Sequence, residues 1–321
     1  MSALISACGA AGHAILPIFE RPEHGKIFFG IVHSLLGLGL VLVGGYKLLE
    51  KIMSVAIAVM FATVLLTVVM LNPDWSEVVT GLFVPRIPKL HKGGLTWTIA
   101  LTGGVGGTLT VLCYGYWIRE KGRTGVGYLR TCRIDLGVAY AFTALFGLAM
   151  VIIGGAVQVE GKGADLVVAL AGTLGKRLGS TGRWLFLIGA WSALFSSLLG
   201  VWQAVPYVFA DFFGLVRHGK ADGPRPPVDT RALPYRGYLL LLAFVPMIGL
   251  LGSFKSVQKA YAVFGALFMP MLAVALLILN GRGRWVGAKM RNRPVTVAVL
   301  TATVVLFLTA FFFVIRKKYM S

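Results

Sequence analysis

Charged residues are scarce in this sequence. Only 13% of its 321 residues are Asp, Glu, Lys or Arg, about half the share in a soluble globular chain. With 57% hydrophobic residues and a mean hydropathy of +0.81, that scarcity excludes an ordinary soluble protein, a disordered chain and a coiled coil. Cysteine is nearly absent. Cys8, Cys113 and Cys132 have no metal-like spacing; they imply no disulfide framework and read as small buried hydrophobes. Ionisable groups are missing from the middle of the apolar stretches, His33 excepted. Asp135, Glu160 and Asp211 sit only at their ends. No Ser-His-Asp set, HExxH motif or paired carboxylates can be assembled, and His91 and Asp74 share a loop without further partners. An enzyme needs such groups, so the chain reads as no enzyme.

What is present divides into membrane-length segments. Eight apolar spans fall at about 27–46, 52–71, 96–118, 136–159, 184–209, 237–253, 260–280 and 295–315, most near the 20 residues that cross a bilayer as a helix. A shorter apolar stretch at 2–18 has no Lys or Arg before Arg21, so it lacks the basic start of a signal peptide. It reads as the tail of a helix whose beginning is missing. Basic residues outnumber acidic ones 31 to 12. The excess reads as membrane topology rather than nucleic-acid binding, because every Lys and Arg lies between spans or at their edges. The loops after 27–46, 96–118, 184–209 and 260–280 hold 17 of the 31. The positive-inside bias therefore places them in the cytoplasm and both termini outside.

Two connectors carry structure of their own. Residues 72–95 mix Pro, Trp and apolar side chains and suit a short interfacial helix. Residues 164–177 suit a second helix lying on the outer surface. Residues 217–236, with Pro224, Pro226 and Pro227, read as a flexible cytoplasmic loop.

Glycine is abundant at 41 residues, and its densest run marks the candidate site. Gly103, Gly104, Gly106 and Gly107 fall mid-span between Thr102 and Thr108. Interior glycine costs a helix about 1 kcal/mol against alanine. Two readings stay open: a broken helix whose carbonyls line a cavity, or a helix packed closely through small residues. Gly37, Gly39, Gly44 and Gly45 in the first span illustrate the packing use. So do Gly189, Ala193, Ser196 and Gly200, at helical spacing on one face; a hydroxyl-lined path through Ser192, Ser196 and Ser197 is the alternative there. His33 has the chemistry of a proton carrier or ligand, but the favoured reading is a hydrogen bond to backbone in the bundle.

The run Pro73-Asp74-Trp75-Ser76-Glu77-Val78-Val79-Thr80-Gly81-Leu82-Phe83-Val84-Pro85 resembles the external loop before the sixth helix of Nramp-type divalent metal transporters. The span at 96–118 then falls on that sixth, broken helix. The 184–209 span, followed by Asp211-Phe212-Phe213, resembles the eighth helix, and the span holding Pro270 the tenth. The resemblance covers about residues 2–315. It implies an all-α integral membrane protein with a LeuT-type inverted repeat, truncated at its N-terminus to about eight transmembrane helices. That fold would form a single transmembrane domain over 1–321 in a bacterial-type cell membrane. Its partners would be the lipid bilayer and a divalent cation substrate, with no resident cofactor and no nucleic acid.

Departures from the family pattern refine this. Where members carry Met-Pro-His after an upstream Ala, the Ala position falls near Gly104 and the Met position near Gly107, while Thr108 and Leu109 replace Pro and His. The tenth-helix Gln falls near Ala262. Without the soft thioether, the chain is similar to the Nramp-related magnesium branch, whose ion keeps its water. Gly104 and Gly107 would offer carbonyls and Thr108 a hydroxyl to the cation. The first-helix Asp-Pro-Gly-Asn motif is absent. This leaves open a non-transporting fragment or accessory subunit, with a partner supplying the missing helices, and a secondary transporter of another small solute.

Overall fold

The computed structural model describes residues 1–84, 110–123, 125–156, 165–218, 228–251 and 254–319. Among them are ten α-helices and no strand: α1 (Ser2–Ile15), α2 (Pro22–Leu71), α3 (Trp75–Phe83), α4 (Thr110–Glu120), α5 (Leu129–Ala156), α6 (Asp165–His218), α7 (Leu233–Ile248), α8 (Phe254–Gly281), α9 (Gly283–Val286) and α10 (Pro294–Tyr319). Among the described residues, three stretches are long and apolar enough to cross a membrane: Pro22–Leu71, Val126–Ala156 and Leu166–Arg217. The chain forms two compact units, Met1–Phe83 with Gly115–Val257, and Val84–Tyr114 with Gln258–Ser321.

Helix α2 shows how local chemistry sets a boundary. Pro22 opens it at a position where a missing N–H costs nothing, and Glu23 lies in the first turn, beside the positive end of the helix dipole. Asn72 ends it in the left-handed conformation (φ 44°, ψ 63°), with its N–H bonded to Val69 O; Pro73 follows and cannot continue a helix. Within it, Gly45 adopts φ 61°, ψ 177°, a conformation almost confined to glycine. The expected loop between 27–46 and 52–71 is therefore a kink inside one helical segment. Lys47 and Lys51 lie on its second half. Only Gly37 of the four glycines there packs against another helix: a Cβ on it would meet Leu198 Cδ2 at 3.3 Å, one on Gly39 would meet nothing, and Gly45 serves the kink. Gly179 (φ 74°, ψ −171°) repeats the device in α6. It divides the short helix expected at 164–177 from the following apolar span.

Buried side chains form two cores in the first unit. Leu38, Val41 and Leu49 of α2 join Ile5 and Cys8 of α1, Phe195, Leu198 and Trp202 of α6, and Leu239 and Ala243 of α7. Nearer the C-terminal end of α2, Val64, Val68 and Leu71 join Ala14 of α1, Ala149 and Ile153 of α5, and Leu174, Phe186 and Leu187 of α6. Helix α1, too short to span, is wedged into both. A Cβ on Gly9 would overlap Lys26 O, so glycine there is what lets α1 and α2 approach. Helix α6 is central: 44% of its most apolar stretch is buried, against 22% for α2 and 11% for α5. The rest of the apolar surface, including Val138, Phe142 and Val151 of α5, is exposed, as expected where lipid is the solvent.

Helix α3 is a short helix within the 72–95 connector, where one was expected. Asp74 Oδ1 accepts hydrogen bonds from Ser76 N (2.8 Å), Ser76 Oγ (2.7 Å) and Glu77 N (3.4 Å), capping its start. Trp75, Val79, Leu82 and Phe83 share one face and are all exposed. In the second unit, Asn292 folds the chain back after α8. Its N–H donates to Asn280 O and its Nδ2 to Leu276 O, both at 3.1 Å. The proline-rich loop expected at 217–236 lies partly outside the described residues, at 219–227.

Candidate functional site

The polar centre of the first unit lies on the seam between α2 and α6. His33 Nδ1–H donates to Phe29 O at 2.6 Å, one turn back on α2. Trp191 Nε1–H of α6 donates to His33 Nε2 at 2.7 Å. Phe195 stands edge-on to the His33 ring at 5.6 Å and stacks on Trp191 at 5.4 Å, 14° from parallel. One nitrogen gives a proton and the other accepts one, which defines a neutral imidazole protonated at Nδ1. Both nitrogens are occupied, so His33 has no lone pair free for a metal and carries a second proton only by losing Trp191. The backbone bond is the reading favoured by the sequence. The Trp191 bond, from 158 residues away, is not. Its signal was available: a tryptophan inside an apolar span needs an acceptor, and His33 is the one ionisable residue at mid-span.

The seam continues upward and downward by small residues. Ser34 Oγ donates to Ala243 O of α7 at 2.9 Å. Gly37 faces Leu198, Leu199 and Trp202. Trp202 is fully buried, and its indole N–H has no acceptor among the described residues. Beyond the kink, a Cβ on Gly189 would overlap Thr63 Oγ1, and one on Gly200 would meet Met53 Cε at 3.3 Å. The small face at 189, 193, 196 and 200 thus packs α6 on α2. Hydroxyls along it serve their own helices: Ser196 and Ser197 donate to Ala193 O, and Thr63 and Thr67 to carbonyls one turn back.

At one end of the first unit, polar groups from α2, α4, α5 and α6 meet. Lys121 Nζ pairs with Glu50 Oε1 at 2.8 Å. Arg123 Nη1 pairs with Asp135 Oδ2 at 3.1 Å. Tyr116 OH donates to Asp211 Oδ2 at 2.7 Å, and the Tyr116 and Tyr207 rings meet edge-to-face at 5.3 Å. The hydrogen bond from Lys121 to Glu50 holds its ammonium pKa above the usual lysine value. The Asp135 partner does the same for Arg123. These residues come from three segments that the charge pattern puts on one side of the membrane.

A family model described as Natural resistance-associated macrophage protein-like (Nramp) matches residues 5–316. The chain belongs to the Nramp family. The match makes it a membrane-embedded, multi-pass protein of a divalent metal-ion transporter family, and the members are transporters rather than enzymes. No curated protein matches the chain.

For an Nramp member the ion site is the central question. Gly104, Gly107 and Thr108 all lie outside the described residues, in 85–109. Helix α4 continues directly from that segment, with Cys113 buried on it. Among the described residues, no three His, Cys, Asp or Glu side chains converge on a common point. The described polar residues of this Nramp chain instead hold helices together, with His33 and Trp191 at the seam and Glu50 and Lys121 at one end.

Proposed function

We propose that this Nramp family member moves a hydrated divalent cation, Mg²⁺ in preference to Mn²⁺, by alternating access. The frame is a LeuT-type inverted-repeat bundle of about eight spans, forming a single transmembrane domain in a bacterial-type cell membrane. The Gly45 kink of α2 and the loops after 96–118, 184–209 and 260–280 face the cytoplasm. Carbonyls of Gly104 and Gly107 and the hydroxyl of Thr108 meet the ion or its water shell. The partners are the bilayer and the cation, and no resident cofactor is required.

The observation that carries this reading is the run Gly103-Gly104-Val105-Gly106-Gly107-Thr108 in a chain of this family. Broken backbone at membrane depth is tolerated where it lines a cavity, and transporters bind ions there with carbonyls and half-helix ends. The run offers oxygen donors and no thioether. That set suits Mg²⁺, which sheds water reluctantly, better than a softer transition metal.

The test is cation flux into proteoliposomes, Mg²⁺ against Mn²⁺, for the wild type and Thr108→Val. Mg²⁺ flux that falls in the variant, with thermal stability kept, supports the reading. A preference for Mn²⁺ with Mg²⁺ excluded overturns the ion assignment. Uptake of an organic solute that survives chelation replaces it with a solute transporter. Absence of both flux and any cation-dependent thermal shift favours an accessory subunit.

A further inference from the structure

The acidic residues are distributed unevenly. None of the 12 lies beyond Asp229, and five of the twelve residues 282–293 are Lys or Arg. The contrast with the first unit is chemical. There, Lys121 and Arg123 have carboxylate partners at 2.8 and 3.1 Å. In the loop between α8 and α10, Arg282, Arg284, Arg291 and Arg293 are all exposed. They pair with no carboxylate among the described residues.

The loop is a folded object. Trp285 N–H bonds to Arg282 O and Gly287 N–H to Gly283 O, each at 2.9 Å. Gly287 turns the chain at φ 79°. Asn292 ties the return to the end of α8 through Asn280 O and Leu276 O. The Arg282 guanidinium lies 4.6 Å from the Trp285 ring centre, and that ring remains 56% exposed. The helices entering and leaving the loop expose apolar side chains next to it: Ile278 and Leu279 on α8, Val295 and Val297 on α10. Exposed guanidinium groups, an exposed indole and apolar flanks therefore occur together at the end of two apolar helices. Arginine forks match phosphate geometry, tryptophan settles at headgroup level, and the flanks suit acyl chains.

We propose that the Arg282–Arg293 loop is a binding site for an anionic phospholipid, the phosphodiester held by its arginines and the acyl chains lying along α8 and α10. The site rests on the membrane-embedded reading of this family but not on the identity of the transported ion. It fixes this loop in the headgroup layer of the leaflet richer in anionic lipid.

The test uses the full chain purified in detergent and titrated with phosphatidylglycerol or phosphatidylcholine, with retained lipid counted by native mass spectrometry. No flux is measured, so failure here is separate from failure of the transport reading. The wild type is expected to retain phosphatidylglycerol over phosphatidylcholine. The R282Q/R284Q/R291Q/R293Q variant is expected to bind phosphatidylglycerol at least about 25-fold more weakly, at roughly a factor of five per engaged arginine for two arginines. The matched lysine variant, R282K/R284K/R291K/R293K, keeps the charge but not the fork, and is expected to keep the preference for phosphatidylglycerol while binding it more weakly than the wild type. K121Q/R123Q removes cations that already have partners and is expected to stay within about twofold of the wild type. Equal retention by the wild type and the glutamine variant overturns the proposal, as does equal affinity for the two lipids. Displacement of phosphatidylglycerol by millimolar inorganic phosphate reassigns the loop to free anions and overturns the lipid assignment.

Discussion

Replacing Trp191 by Phe separates the hydrogen bond at the seam from the packing around it. Phenylalanine keeps a ring against Phe195, where the indole now stacks at 5.4 Å, but removes the donor that reaches His33 Nε2 at 2.7 Å. Interhelical hydrogen bonds in membrane proteins average about 0.6 kcal/mol and reach about 1.7 kcal/mol. His33 is 6% exposed, so the stranded acceptor gains little from water, which places this bond near the upper value. The smaller ring adds a packing loss of about 1 kcal/mol. The expected cost is about 2 to 3 kcal/mol. The assay is reversible unfolding in mixed micelles for Trp191→Phe, His33→Leu and the double variant, read as a double-mutant cycle. The cycle removes the packing loss and leaves a coupling of about 1 to 1.7 kcal/mol. Nitrogen NMR of the wild type should show a neutral imidazole protonated at Nδ1. A coupling below about 0.3 kcal/mol, or an imidazole protonated at Nε2, would refute the reasoning.

Three further outcomes concern a kink glycine, a helix cap and an ion pair. Gly45→Ala should destabilise by about 1 to 3 kcal/mol from backbone strain alone, because its Cβ would meet nothing within 4 Å, whereas Gly39→Ala, equally open but helical, should be neutral or slightly stabilising in the same unfolding assay. Asp74 holds its carboxyl below the usual 3.8 through the Ser76 hydroxyl first and the Ser76 and Glu77 amides next. A depressed carboxylate stabilises above the unfolded value and is lost as pH falls through the folded one. Amide protection factors at the start of α3 should therefore hold from neutral pH to about 4, fall only below that, and be low at all pH in Asp74→Ala. Exchanging the partners as Glu50→Lys with Lys121→Glu should restore most of what either single change removes. Each single effect should stay within about 1 kcal/mol, because both side chains are more than a third exposed.

Much of the helical layout follows from composition along the chain. Apolar stretches separated by cationic connectors must become helices when lipid is the solvent, since backbone groups find partners there only within the segment. Pro22, Asn72-Pro73 and Asp74 mark ends by local chemistry, and the small-residue spacing on α6 marks its packing face. The candidate ion site was legible only as a glycine run, Gly103 to Thr108, whose meaning depends on whether the helix breaks. The partners were not legible. Trp191 and His33 are 158 residues apart, and Glu50 and Lys121 are likewise joined only by the fold. Neither spacing nor charge pattern encodes which helices become neighbours. The sequence also could not tell a kink glycine from a packing glycine, because Gly37, Gly39 and Gly45 are chemically identical. Tertiary structure decided that difference through what stands opposite each one: Leu198 at Gly37, open space at Gly39 and a left-handed φ at Gly45. Local energetics thus set where helices form, and the contacts between helices set what each small or polar residue does.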